Sequence, residues 1–136
     1  MGVDYVSTFI QVAEDCPVDR GTVPPRHPDK PSVAAEQYRL ITAAPYALTS
    51  EDVLFAVHAD RAGIPAGERE AARHAYFAAP RACLRAAPLG KKYGWGVHCD
   101  EQGRLALYGV ETPEYAALAT DPGVTALRAM RSARAR

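Results

Sequence analysis

Two stretches of the chain alternate apolar and polar residues with the period of a strand. Asp4 to Ala13 is rich in Val, Ile, Thr, Tyr and Phe, the residues that suit a pleated, half-buried surface. Val6, Thr8, Ile10 and Val12 share one face, and Tyr5, Ser7, Phe9 and Gln11 share the other. Both faces are partly apolar, which predicts an inner strand. The second stretch, Tyr93 to Val110, holds two apolar runs around Asp100-Glu101-Gln102-Gly103. A three-residue loop, Glu101 to Gly103, places Gly103 at the left-handed position that follows a type I turn. That register opposes Val97 to Leu107 and Cys99 to Leu105. Trp95, Val97, Cys99, Leu105 and Leu107 then line one face, and Gly94, Gly96, His98, Ala106 and Tyr108 line the other. A two-residue loop would mix the two sets, so the alternation selects the longer loop. Ala82 to Ala87 is expected to form a further short strand.

Helical spacing governs most of the rest. Ser32 caps a helix to about Ala44, with Val33, Gln37, Leu40 and Ile41 on one side, and Pro45-Tyr46 breaks it. Thr49-Ser50-Glu51-Asp52 starts a second helix, with a Thr cap and acids in the first turn that complement the helix dipole. Gly63 stops it. Gly67 to Ala79 predicts a third helix, closed by Pro80. Thr112-Pro113 opens another to about Thr120, and Asp121-Pro122 is expected to open a last one with Val124, Leu127 and Met130 inward. The residues between behave differently. Pro17 to Ser32 carries five of the eleven prolines, so it is neither helix nor inner strand. It is a loop, either a lid or a plain surface excursion. The elements add up to an α+β fold: a small, mainly antiparallel sheet of about four strands with helices chiefly on one face. One domain spans residues 1–136, ending in a basic tail at 131–136.

Composition changes this picture little. With 48% hydrophobic and 24% charged residues, the chain is neither disordered nor membrane-spanning, and no signal peptide is evident at its start. It is expected in the bacterial cytoplasm. Cys16, Cys83 and Cys99 show no CxxC spacing and are expected to be free thiols. No zinc pattern is present, and neither a metal nor a cofactor is expected. Sixteen bases and sixteen acids cancel, but unevenly. Residues 1–68 hold ten acids and five bases, whereas 69–136 hold six acids and eleven bases. The excess is either a set of intramolecular pairs or a basic patch for an anion.

Several runs are distinctive: Tyr5-Val6-Ser7-Thr8-Phe9-Ile10, Glu14-Asp15-Cys16-Pro17, Glu51-Asp52-Val53-Leu54-Phe55, Cys83-Leu84-Arg85, Lys92-Tyr93-Gly94-Trp95-Gly96-Val97-His98 and Ala129-Met130-Arg131-Ser132. Together they resemble a family of small bacterial and fungal proteins described only as a domain of unknown function. The resemblance spans nearly the whole chain. It implies a complete family unit and supplies no activity, cofactor or catalytic residue.

The residues themselves suggest one candidate region. Gly94 and Gly96 remove side chains from one face of the hairpin, which weakens a strand and needs a reason. Either a helix packs closely there or a ligand approaches, with His98 and Tyr108 as polar lining. If strand 82–87 pairs with the hairpin, Arg85, Lys91 and Lys92 could hold a carboxylate or phosphate. His98 would then move a proton, and Tyr93, Trp95 and Tyr108 would line the pocket. A Cys83–His98 nucleophile pair is a further option. The leading expectation is a protein that binds or transforms a small anionic metabolite. The alternative is an interaction module, without chemistry, that binds an acidic protein or nucleic acid through residues 69–98 and the arginine tail. Nucleic acid is the less expected partner for want of a motif, no membrane is expected, and a homodimer is compatible with the sequence.

Overall fold

A computed structural model describes residues 4–26, 29 and 32–132. Four strands form one sheet in the order β3-β2-β1-β4: β1 (Thr8–Gln11), β2 (Trp95–Cys99), β3 (Leu105–Gly109) and β4 (Thr125–Arg128). β2 runs antiparallel to both β1 and β3, and β4 lies parallel to β1. The fold is α+β. Its helices are α1 (Val33–Ala43), α2 (Ser50–Ala62), α3 (Arg69–Ala78), α4 (Pro88–Lys92) and α5 (Pro113–Ala119).

The hairpin takes the register its alternation demands. Val97 opposes Leu107 and Cys99 opposes Leu105, while Gly103 has φ 77°. Val97, Cys99 and Leu105 enter a core with Ile10 from β1, Ile41 from α1, Val53 from α2 and Leu89 from α4. Phe9 faces the other way and packs with Val12 and Tyr115 under α5. Most helices therefore cover one sheet face and α5 covers the other. The caps also fall where the sequence puts them. Ser32 Oγ accepts from the Ala35 amide, Thr49 and Asp52 form a reciprocal capping box, and Gly63 closes α2 at φ 69°.

Three elements differ from the sequence expectation. The first strand is only Thr8–Gln11, because Ser7 has φ 46°. That left-handed residue ends the alternation and sends Tyr5 to the core on the Ile10 side. Residues 82–87 are not a strand. Leu84–Ala86 form a 3-10 turn that plugs Leu84 into the core, and Pro88 at the first helical position starts α4. Alanine has little strand preference, and a proline pre-set for a helix start prevails. The segment after Asp121 is not a helix either. Asp121 Oδ1 and carbonyl accept from the amides of Gly123 and Val124, a turn built from Asp-Pro-Gly. The chain then leaves as β4, with Thr125 to Arg128 opposite Thr8 to Gln11.

The proline-rich loop is tied down at Gly21, Thr22 and Pro24. The Thr22 amide donates to the Tyr93 carbonyl at 2.8 Å, and Trp95 Nε1 donates to the Thr22 carbonyl at 2.8 Å. The Gly21 amide donates to Glu111 Oε1 at 2.9 Å, and Pro24 is fully buried. His27, Pro28, Lys30 and Pro31 lie outside the described residues, as do residues 133–136 of the basic tail.

The space left by the two hairpin glycines is filled from within. The Arg20 carbonyl of the loop occupies the place of a side chain at Gly94, which has φ 78°. At Gly96, a Cβ would meet Phe9 Cζ at 2.5 Å and Tyr115 Cε2 at 2.7 Å. Those two rings pack edge to face with centroids 4.8 Å apart. Gly96→Ala is accordingly expected to destabilise the protein by about 1–3 kcal/mol through overpacking, read as a lower urea midpoint with an unchanged far-UV spectrum.

Candidate functional site

The hairpin turn sets which residues share the α5 face of the sheet. Asp100 Oδ1 accepts from the amides of Gln102 and Arg104, each at 2.9 Å, and the Asp100 amide pairs with the Arg104 carbonyl at 2.9 Å. This locks the register just beyond His98. His98 lies opposite Ala106 and Tyr108 opposite Gly96, so His98 and Tyr108 are diagonal neighbours on the α5 face, with ring centroids 6.5 Å apart.

A third ring joins them from the far side of the sheet edge. Residues 46–49 run along the outer edge of β3. The Tyr46 amide donates to the Leu105 carbonyl at 2.7 Å, and the Leu105 amide donates to the Leu48 carbonyl at 2.9 Å. Tyr46 itself has φ 58°, and its ring reaches around the edge strand to the opposite face. Its hydroxyl lies 2.7 Å from His98 Nδ1 and 2.8 Å from the Tyr108 hydroxyl. Burial and the hydrogen bond to Tyr108 push the Tyr46 phenol well above its ordinary range, so it stays neutral. Burial also lowers the pKa of His98, against the opposing pull of Asp100 and Asp121. His98 and Tyr46 are therefore both uncharged near neutral pH, and the Tyr46 hydroxyl links His98 to Tyr108.

This chain opens on a cleft of about 510 Å³ whose lining includes Ser7, His98, Asp100, Glu101, Leu118 and Asp121. Among the described lining residues, the ionisable ones apart from His98 are acidic. Tyr46 engages His98 Nδ1, so Nε2 is the nitrogen left for a ligand. The chemistry available here is hydrogen-bond acceptance or proton uptake by a neutral imidazole, in a field that favours a cation.

Of the residues the sequence singled out, His98 and Tyr108 come together, and Gly96 lies beneath the rings of Phe9 and Tyr115. The others do not join them. Arg85 sits in the 3-10 turn with Nε donating to the Arg128 carbonyl at 2.8 Å. Lys91 and Lys92 form the last turn of α4. Cys83 is partnered by the Tyr5 hydroxyl at 3.2 Å rather than by His98. Burial and that contact push the Tyr5 phenol up to about 12. Burial likewise raises the Cys99 thiol to about 12, leaving it inert. Trp95 packs against Tyr38 on the core side, and the Tyr93 carbonyl holds the proline-rich loop. The expected meeting of Arg85, a lysine and His98 depended on a strand at 82–87, which the fold does not contain.

Tyr46 and Asp121 were not legible as site residues. Pro45-Tyr46 signals only a helix end, and its return to a residue 52 positions away leaves no periodic trace. Among the described residues, no group of three or more His, Cys, Asp or Glu side chains could hold a metal ion, and no helix is long and apolar enough to cross a membrane.

The basic segment 69–98 is largely engaged within the fold. Arg69 pairs with Asp60, and Arg73 with Glu51 and Asp52. Arg81 donates to the Tyr76 carbonyl and stacks over that residue's ring at 3.9 Å.

Among known proteins, the model of a family of unknown function, DUF6157, matches residues 1–135. No curated protein and no solved structure matches.

Two outcomes check the site's geometry. Tyr46→Phe removes the hydroxyl shared by His98 and Tyr108 and should cost about 0.5–1.5 kcal/mol, measured by urea denaturation. The second concerns pH. Folded His98 binds its proton below the ordinary value of 6.5, so the unfolded state holds more protons as pH falls through that value. Stability should therefore drop between pH 7 and pH 5. The drop should be smaller in His98→Gln, read from urea midpoints at each pH.

Proposed function

The chain belongs to the DUF6157 family, whose function is unknown, and we propose that its cleft at the hairpin turn binds a small, positively charged, hydrogen-bond-donating molecule with His98 as the acceptor. The observation that carries this reading is the hydrogen-bonded His98–Tyr46–Tyr108 chain, ending in a cleft with carboxylates and no cationic side chain among its described lining residues.

The hydrogen bonds run consistently in this arrangement. A ligand N–H or O–H donates to Nε2. Nδ1–H donates to the Tyr46 oxygen, and the Tyr46 hydroxyl donates to Tyr108. A lowered pKa keeps the imidazole in its accepting form at neutral pH. Were it to take the ligand's proton, Asp100 and Asp121 would favour the resulting imidazolium. An anionic ligand, the sequence-based expectation, would meet the same carboxylates as a penalty. The binding of nucleic acid or an acidic protein through residues 69–98 has less support, because Arg69 and Arg73 already face acids of this chain.

Thermal-shift measurements at low ionic strength, with ethanolamine and inorganic phosphate as probes, test the proposal. Ethanolamine should raise the midpoint in a saturable way. His98→Gln and Asp121→Asn should each weaken that effect at least five-fold, and phosphate should have none. Stabilisation by phosphate that depends on His98, or no response to ethanolamine, would overturn it.

A further inference from the structure

The two edges of the sheet are finished differently. On the β3 side the chain covers its own edge: the Tyr46 amide donates to the Leu105 carbonyl, the Leu105 amide donates to the Leu48 carbonyl, and Thr49 bridges Arg104. β4 is the other edge. Thr125, Ala126 and Arg128 are exposed, and the run from Gly123 to Leu127 carries neither charge nor proline. Sheets commonly blunt an open edge with charges, prolines or a covering segment. This protein does so on one side only.

The ladder to β1 decides which groups of β4 stand open. The Thr125 and Ala129 amides donate inward to the Ser7 and Gln11 carbonyls, and the parallel register turns Leu127 inward with them. The Val124 carbonyl, the Ala126 amide and carbonyl, and the Arg128 amide therefore point outward, and none of the four has a partner among the described residues. The groups on either side of this run are taken. The Arg128 carbonyl accepts from Arg85 Nε at 2.8 Å, and the Met130 amide donates to the Arg85 carbonyl at 2.7 Å. At the other end, the Val124 amide donates to the Asp121 carbonyl at 3.1 Å.

The open groups complement themselves. A second copy laid antiparallel about a two-fold axis at Ala126 exchanges both bonds between the two Ala126 residues. It also joins each Val124 carbonyl to the other copy's Arg128 amide. The same register opposes the Val124 amide to the Arg128 carbonyl, and these are the two groups that each chain has already satisfied internally. Arg85 blocks the edge beyond Arg128, and the other copy's chain turns away at that point, through its Asp-Pro-Gly turn. Charge agrees with this direction. Arg85 stands at one end of the open run and Asp121 at the other, so antiparallel pairing brings unlike ends together. An unrelated extended peptide would use the backbone groups without that match.

We infer that β4 is the interface of a homodimer, pairing antiparallel with its own copy about Ala126 and joining two four-stranded sheets into one. The inference stands on backbone geometry and is independent of what the His98 cleft binds.

Sedimentation equilibrium of the full chain over a concentration series, with amide exchange followed in ¹H–¹⁵N spectra, tests it. The average mass should rise from that of one chain to that of two. Exchange at Ala126 and Arg128 should slow as concentration rises, whereas Leu127, already bonded to β1, should not respond. Ala126→Pro removes the central outward donor and spares the ladder to β1. Ala126→Glu sets two like charges directly opposite each other. Each should weaken association about ten-fold or more. A chain that stays monomeric up to about 1 mM would overturn the inference, even if its edge takes up an unrelated peptide. So would a dimer in which Ala126 exchange ignores concentration, or one that Ala126→Glu leaves intact. The Ala126 side chain is exposed, so Ala126→Glu decides the matter even if Ala126→Pro does not fold.

Discussion

The register of the β2–β3 hairpin is the constraint on which the rest of the structure depends. One side chain anchors it at the turn. Asp100 occupies two turn amides through Oδ1 and pairs its own amide with the Arg104 carbonyl. A slip of one residue would carry every hairpin side chain to the other face. Val97, Cys99 and Leu105 would leave the core shared with Ile41 and Leu89, and His98 would enter it. The separation of an apolar face from a hydrogen-bonding face is therefore a consequence of the turn, and α1, α4 and α5 pack on what the turn has sorted.

Once the faces are sorted, bulk decides where the molecule stays open. At the Trp95 end, the proline-rich segment lies across Gly94 and Gly109, with Gly21 itself pressed against the Trp95 ring. In the middle, Phe9 and Tyr115 fill the space above Gly96. The turn end keeps a cleft on this face, where Ser7, His98 and the carboxylates of Asp100, Glu101 and Asp121 stand beside Leu118 and Val124. Charge follows the same logic. The acidic first half and basic second half of the chain meet in space, as Arg73 with Glu51 and Asp52 and Arg131 with Glu14 show. An asymmetry along the sequence becomes pairing across the fold.

Local rules predicted what local interactions build. The Ser32, Thr49 and Thr112 caps, the Gly63 stop and the Gly103 turn all follow from groups a few residues apart, and all stand in the structure. The α+β class and the sheet's mainly antiparallel character followed from the alternation. Two of the failures fall on short, weakly patterned segments, residues 82–87 and 121–130, where a local proline or Asp-Pro-Gly turn acts together with a distant partner: the core for Leu84, and β1 for Thr125 to Arg128. The candidate site was half legible for the same reason. His98 and Tyr108 share a face by register, whereas Tyr46 reaches them through a left-handed turn and a path around the edge strand.

The parallel strand β4 has a consequence for how the molecule comes into being. Its partner β1 lies near the beginning of the chain, and Thr8 must find Thr125. On the ribosome, β1 emerges long before the segment that completes the sheet on that side. Until then one side of β1 lacks its backbone partners, and such an open edge invites pairing with a foreign strand. The contact also closes a loop nearly as long as the chain, whose entropy cost must be met before the pairing is gained. The helices and the hairpin can assemble from near neighbours, but the finished sheet waits for residues 125–128.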